Sequence, residues 1–542
     1  MTARVSEVAA VAAVALILTI ALAAPVLQAP TERIFGTEIV GRHYDPFIVM
    51  QQFDRPIART AYLQPLTDVP GAWFARATGP VAAYNWLVLL SFPLSAMAAY
   101  LLARYVALSP ASATIAAITF AFSPFHLAHA AYHPHIAQIQ WLPLYLFALW
   151  RCLDRATPAS IGLLAVSVVA VTLSNFYGGL IAAVMTPVAM AAYWFFKSRS
   201  EPGSSRRLAI TLASLIVIAG AGLGYAWYAA HGVVTNRAAF AFPRDALFPH
   251  SAKWWSYLVP PLEHPVLGGM AQRVWTAAGV QTGLLEQQVS LGWAALALSL
   301  VALCAWCIRR RHNPSLAIVP ALATIAVVAV VCSLSPEATI GEFTFLRPSA
   351  FLYPIVPMFR AYARFAVVVQ LMVALLAAIG AEYLWRSGRP RARMACVVLL
   401  TLVAGEYAVQ PMGVWRDVLP TAAHRWVVRQ PDAVRVLDCA PLTPESESIE
   451  WLTGYRVSLR ARLLNDCRDP NLGEKLSAAG YTHLLLRGGT AEGRWFEAQD
   501  TPKGLELTMR FGDGDVFAVT SRRPPAKSSP SITAAACSAC SP

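Results

Sequence analysis

The sequence predicts an α-helical polytopic membrane protein of about eleven transmembrane helices, followed by a small extracytoplasmic α/β domain. Two observations carry the membrane part. Of 542 residues, 57% are hydrophobic and only 13% charged, with mean hydropathy +0.50; a soluble chain carries roughly 25% charged residues. Apolar runs approaching the roughly 20 residues that span a bilayer recur from residue 7 to residue 412. A third observation carries the α/β part: after residue 412 the runs give way to short helix-like and strand-like segments with turn signals between them.

The apolar runs fall at about 7–29, 82–105, 111–125, 137–152, 158–175, 178–196, 208–230, 288–307, 315–334, 363–385 and 394–412. The third is short and stops at Pro124. The first has a thin basic flank, Arg4, and many spans follow it, so it reads as a retained helix rather than a signal peptide.

Orientation follows from Lys and Arg in the short loops. Arg104; Arg151 and Arg155; Lys197, Arg199, Arg206 and Arg207; Arg309 to Arg311; and Arg386, Arg389, Arg391 and Arg393 all fall on the N-terminal side when eleven spans are drawn. The N-terminus is therefore expected in the cytoplasm and the C-terminal domain outside. The same loops account for much of the net charge of +13, so no nucleic-acid partner is expected; membrane lipids are.

The domains expected are 1–412, with outer loops 30–80, 231–286 and 335–362; an α/β domain over 413–522; and a Pro/Ser/Ala-rich, disordered tail over 523–542. Within the α/β domain, Ala422–Arg429 and Gly473–Ala479 read as helices and Val434–Asp438 and Thr482–Arg487 as strands. Leu505–Arg510 and Val516–Thr520 read as a hairpin across Gly-Asp-Gly-Asp. Cys152, Cys304, Cys307, Cys332 and Cys396 lie in or beside apolar helices. Cys439 and Cys467 are free to form a disulfide if that domain lies outside; the sequence leaves this open. Cys537 and Cys540 form a CxxC spacing in the tail, weak evidence for redox or metal chemistry.

Long outer segments and short inner ones put the chemistry on the outer face. In the first outer loop, Gly36-Thr-Glu-Ile-Val-Gly-Arg-His-Tyr-Asp-Pro-Phe47 carries Glu38, Arg42, His43 and Asp45. Asp45 is the first candidate base, since a partly desolvated carboxylate at a membrane surface suits that work; Glu38 is second and Asp54 third. Pro46 biases Asp45 away from helix, and residues 47–53 suit an amphipathic helix at the interface.

His126, His129 and His133 are spaced to share one helical face. They suit a sugar, a phosphate or, with an acid from elsewhere, a divalent metal. Arg244, Lys253 and His264 lie among the aromatics and prolines of 242–264, a stretch that suits either a membrane aromatic belt or a lipid phosphate and its sugar. Arg360 and Arg364 stand at the outer start of an apolar run, against the charge bias, and suit a phosphate or a salt bridge to Glu337 or Glu342. Walker A, dinucleotide, HExxH and Gly-x-Ser-x-Gly motifs do not occur.

Four stretches together resemble a known group. They are Asp45 in Gly-Arg-His-Tyr-Asp-Pro-Phe; Ala-Phe-Ser-Pro-Phe-His-Leu-Ala-His with Gln140-Trp141-Leu-Pro143; Trp-Ser-Tyr-Leu-Val-Pro-Pro-x-x-His-Pro over 255–265; and Pro357-Met-Phe-Arg-Ala-Tyr-Ala-Arg-Phe365. The chain resembles the GT-C-type polytopic membrane glycosyltransferases, and within them the YfhO-like bacterial membrane proteins. The first loop departs from the Asp-x-Asp or Asp-Glu pair of many GT-C enzymes.

The resemblance implies an inverting glycosyltransferase of the bacterial cytoplasmic membrane. A polyprenyl-phosphate sugar would be its donor and an envelope glycan, lipid or protein its acceptor. Asp45 would be the base, with Arg360 and Arg364 on the departing phosphate, aided by Arg244 or Lys253. His126, His129 and His133 would orient the sugar or phosphate, with Gln140 and Trp141 behind them. A translocator of lipid-linked saccharide, or an envelope assembly protein, is the alternative; a translocator would carry more ionisable groups at mid-membrane.

Overall fold

The computed structural model describes residues 2–36, 45–54, 64–229, 231–280, 282–309, 314–408, 415–440, 446–459, 467–498 and 501–520. The chain forms two compact units, Met1–Arg416 and Asp417–Pro542.

In the first unit, helices stand at every place where an apolar run predicts one. They are α1 (Thr2–Leu22), then two shorter amphipathic helices α2 (Asp45–Asp54) and α3 (Pro65–Thr78), then α4 (Pro80–Tyr105), α5 (Pro110–Ala121), α6 (Pro124–Tyr132) and α7 (Trp141–Asp154). There follow α8 (Pro158–Ser174), α9 (Phe176–Tyr193), α10 (Ser204–Ala229), α11 (Trp293–Arg309), α12 (Val319–Ser333), α13 (Ala366–Arg386) and α14 (Pro390–Glu406). Among the described residues, seven segments are long and apolar enough to cross a membrane, and α8 and Trp293–Ile308 are shorter apolar helices. The chain is a membrane protein.

Several helix starts are written locally. Ser109, Ser123 and Thr157 each accept the amide three residues on, and each precedes a proline at the first helical position. The Ser123–Pro124 start explains why the short third run continues, after one irregular turn, into α6.

The core is built on α13, whose most apolar stretch is 94% buried, with α5, α11 and α12 packed against it. Contact with α11 is close enough that a Cβ at Gly380 would stand 2.0 Å from the Leu298 carbonyl oxygen. At the other extreme only 6% of the apolar stretch of α10 is buried.

The helix α2 departs from expectation. Pro46, Phe47, Val49, Met50 and Phe53 are buried, and α2 packs on α3 and α4. Its apolar face is taken up by protein rather than by the membrane interface. Beyond α12, β1 (Glu337–Ile340) and β2 (Phe343–Leu346) form an antiparallel hairpin.

The second unit holds a five-stranded sheet. In chain order its strands are β3 (Val436–Asp438), β4 (Val457–Leu459), β5 (His483–Arg487), β6 (Leu505–Phe511) and β7 (Gly514–Val519), laid out spatially as β4-β3-β5-β7-β6. β3 runs parallel to β4 and β5; β7 is antiparallel to β5 and β6. Helices Ala422–Val428 and Leu472–Ala478 and the β6–β7 hairpin stand where the sequence puts them. Strand β4 and the helices Ser446–Leu452 and Ala491–Glu497 are additions to that reading. Cys439 and Cys467 form a disulfide. The tail with Cys537 and Cys540 lies outside the described residues.

Candidate active site

Asp45 is the first residue of α2, with Pro46 in the first turn, where a missing amide costs nothing. Its side chain is 50% exposed, and Oδ2 lies 3.1 Å from His133 Nε2. The other ring nitrogen of His133 stands 3.1 Å from His129 Nδ1 and 3.9 Å from Glu286 Oε1. Glu286 in turn receives Arg364: Nε donates to both carboxylate oxygens at 3.1 and 3.0 Å, and Nη2 donates to Oε1. Arg364 lies over the ring of Tyr177 at 4.0 Å. A chain of charged and polar groups thus runs from the half-exposed Asp45 inward to a buried ion pair.

Local backbone chemistry explains how these groups meet. His133 is followed by Pro134, which disfavours helix at the residue before it, so α6 ends at Tyr132 and His133 caps it with φ −126° and ψ 82°. The expected shared helical face of His126, His129 and His133 is therefore not formed. His129 and His133 meet across the helix end, while His126 turns into the core. Its Nε2 pairs with Ser91 Oγ at 2.9 Å, its Nδ1 with the Ala121 carbonyl at 2.5 Å, and its ring stacks on Phe92. Both nitrogens of His126 are occupied.

Glu286 is placed by a loop pressed against residues 249–250. Gly283 has φ +66°, and a Cβ there would stand 2.0 Å from the Pro249 carbonyl oxygen; Gln287 Nε2 donates to that same oxygen at 2.8 Å. Ala363 N donates to the His250 carbonyl at 3.1 Å, bringing Arg364 to the same place. Burial raises the Glu286 carboxyl, but Arg364, His133 and His129 more than offset this and hold it well below the usual carboxylate range. Arg364 also borders a cavity lined by Gln138, Ser174, Asn175 and Tyr177 and otherwise mostly apolar.

The other expected residues divide. Arg360 lies over Phe242 at 4.3 Å and acts electrostatically on His250. Burial, then Arg360 and Arg364, push the His250 imidazole down, opposed by Glu286 and a hydrogen bond to Ala246. Arg244 is drawn off to Glu337 at 3.0 Å, and Lys253 lies in the field of Arg347. His264 is engaged at both nitrogens, Nε2 with the Gly405 carbonyl and Nδ1 with the amides of Val266 and Leu267. Arg364 and His264, both expected to hold substrate phosphate or sugar, thus have protein partners, Arg364 in a salt bridge to Glu286 rather than to Glu337 or Glu342. Glu38, Arg42 and His43 lie outside the described residues. Among the described residues no three or more His, Cys, Asp or Glu side chains gather as metal ligands would.

Sequence reasoning missed Glu286, His250, Tyr177 and Arg416. Arg416 is 5% exposed, lies over Phe47 at 5.3 Å and shares the neighbourhood of Tyr84 with Asp45. It also missed a second acid–histidine pair, Asp68 Oδ1 with His135 Nε2 at 2.7 Å. Asp68 is wholly buried and its other oxygen accepts the Gln64 amide at 2.6 Å. No sequence spacing announces Glu286; His135 and Asp68 were visible only as a histidine beside a proline and a loop acid.

The family model for a domain of unknown function, DUF6311, matches residues 65–405. The chain belongs to the DUF6311 family. Among curated proteins none matches the sequence. The DUF6311 chain is similar in fold to the arabinofuranosyltransferase AftD from Mycobacteria, with TM-score 0.51 and 16% identity, over 95% of this chain and 40% of that one. It therefore spans less than half the length of that structure. ArnT from Cupriavidus metallidurans, solved bound to undecaprenyl phosphate, gives TM-score 0.37 at 13% identity over 97% of this chain and 100% of that one, a likeness too slight to argue from. The architecture is a GT-C-like helical membrane fold with a small α/β unit following it in sequence.

Proposed function

We propose that this DUF6311 protein is an inverting glycosyltransferase. It moves a sugar from a polyprenyl-phosphate donor to an envelope glycan, lipid or protein acceptor at the outer face of the bacterial cytoplasmic membrane. The observation that carries the reading is Asp45: a carboxylate half open to solvent, bonded to His133, at the mouth of a buried charged chain on a GT-C-like fold. Kinship with YfhO-like proteins rests on the motifs alone.

In this reading Asp45 takes the proton of the acceptor hydroxyl as that oxygen attacks the anomeric carbon. The bond from that carbon to the phosphate oxygen breaks, and the lipid phosphate departs with the electron pair. His133 holds Asp45 by the hydrogen bond and is itself fixed by His129 and Glu286. Glu286 already neutralises Arg364, so the departing phosphate draws mainly on Arg360. Preorganised cations of this kind act on charge as it develops.

The test uses purified protein in lipid nanodiscs with polyprenyl-phosphate sugars of several kinds. The parent should release polyprenyl phosphate from at least one, and Asp45→Asn should not. Equal turnover by parent and variant removes Asp45 from the mechanism. No turnover of any donor in the presence of envelope acceptors would leave the fold without this activity.

A further inference from the structure

The β1–β2 hairpin has two chemically different faces. The register pairs Ala338 with Phe345 and Thr339 with Thr344. Side chains alternate along a strand. Phe343 and Phe345 therefore share one face with Ala338, while Thr339 and Thr344, their hydroxyls 3.3 Å apart, share the other with Glu337 and Leu346, so that one face is aromatic and the other mixed. Phe343 is 73% exposed and Phe345 54%, and Phe351 and Ile355 a little further on are each 63% exposed. A two-stranded ribbon that turns aromatic rings outward on one side calls for something to cover that side.

Two features say what covers it. The first is position. The hairpin begins directly after α12, a membrane-crossing segment that ends at Ser333. It is tied to that end by Arg347 N donating to the Pro336 carbonyl at 2.8 Å and Ser349 Oγ donating to the Leu334 carbonyl at 3.0 Å. It therefore leaves the helix at the depth where the helix leaves the bilayer. The second is charge. Arg347 stands at the base of the hairpin, its Nη1 donating to Ser335 Oγ at 2.9 Å, and Lys253 follows Ala252, whose amide donates to the Ser333 carbonyl at 2.9 Å. The nearby acid, Glu337, is taken by Arg244. An apolar face with two cations at its base has the order of parts that a phospholipid presents, acyl chain then phosphate. A second copy seated face to face would bring two such cationic bases towards each other.

We propose that the β1–β2 hairpin is a membrane-surface anchor: its Phe343 and Phe345 face enters the acyl region of the leaflet at the Ser333 end of α12, and Arg347 and Lys253 take the headgroup of an anionic phospholipid there. This goes beyond the transferase reading and does not depend on it.

The experiment places the photoreactive residue p-benzoylphenylalanine at 343 or, in a separate protein, at 344. Each full-length protein is reconstituted into vesicles of phosphatidylethanolamine and phosphatidylglycerol. On irradiation the 343 protein should gain phospholipid mass and the 344 protein much less. The ratio of phosphatidylglycerol to phosphatidylethanolamine in the adduct should exceed that of the bilayer by roughly 30-fold, about fivefold for each of two surface cations. That enrichment should fall in the 343 protein carrying R347Q and K253Q, with lipid adduct still formed. Equal labelling at 343 and 344, an intact protein with no lipid adduct, or a cross-linked dimer in place of the adduct each overturns the proposal. Because Phe343 is 73% exposed, failure to fold is not the expected result, and co-elution with the parent on gel filtration checks this.

Discussion

Glu286 holds Arg364 across 78 residues of sequence, Nε reaching both carboxylate oxygens. Each residue alone would be an isolated charge in a buried place, at a cost of several kcal/mol. Together they make a fixed dipole beside His133. The pair is therefore a structural element of the site as well as a candidate part of its chemistry.

Glu286→Ala or Arg364→Ala should destabilise the protein by roughly 3–5 kcal/mol, because each leaves its partner buried and unpaired. Replacing both, with Glu286→Leu and Arg364→Met, should recover most of that loss while sugar transfer stays absent. Thermal unfolding in nanodiscs, read beside turnover, separates the two effects. Equal stability of single and double variants would show that the pair contributes nothing through mutual neutralisation.

Asp45→Asn should reduce transfer by roughly 10²–10⁴-fold, the range of a lost general base, with little change in melting temperature, since its side chain is half exposed. His133→Gln keeps a hydrogen-bonding group beside Asp45 and should cost less. If His133→Gln is as damaging as Asp45→Asn, the histidine itself handles the proton.

Glu263 supplies a pH test. It is 6% exposed, and burial pushes its carboxyl up to about 7 from 4.5, against the opposing hydrogen bonds. A raised acid binds its proton more tightly folded than unfolded. The contribution of Glu263 to stability should therefore be greatest below about pH 4.5 and fall as pH rises through 7, by about 3 kcal/mol in all. Glu263→Gln should be more stable than the parent at pH 8 and similar to it at pH 4.5. Melting curves across that range decide; parallel curves would mean that Glu263 ionises as freely folded as unfolded.

Glycine substitutions test the packing. Gly380→Ala would put a methyl 2.0 Å from the Leu298 carbonyl oxygen, and should cost roughly 1–3 kcal/mol or more as α11 and α13 are forced apart. Gly220→Ala in α10, where nothing lies within 4 Å of the added carbon, should be neutral or stabilise by up to about 1 kcal/mol. A common response at both positions would deny α13 its place as the tightly enclosed centre.

The fold was legible because its determinants are local. Apolar length finds the helices; Ser123-Pro124 and Thr157-Pro158 mark starts in the structure, though Pro124 reads in sequence only as the end of a run. The hairpin of the second unit is written in Gly-Asp-Gly-Asp. The site was legible only in part. Asp45 stands out as an acid close behind an apolar run, and His129 and His133 as a cluster. His126 belongs to the same spacing yet faces Ser91 and Ala121, because the helix ends before its periodicity can gather all three. The Pro134 signal was present and argues for that end. Glu286 was not legible: it sits in a loop with no motif, and its meaning comes from Gly283, Pro249 and Arg364, which only tertiary contact brings together. For the same reason Arg364 reads as a free cation in sequence and is half of a pair in space.

The pairing of Glu286 with Arg364 has an electrical consequence. A membrane potential does work on net charge, about 2.3 kcal/mol per elementary charge for each 100 mV crossed. Glu286 and Arg364 carry opposite charges within hydrogen-bonding distance, so displacing them together moves almost no net charge through the field. Whatever small shifts the site makes in binding or release, this pair will not couple them to the voltage across the membrane.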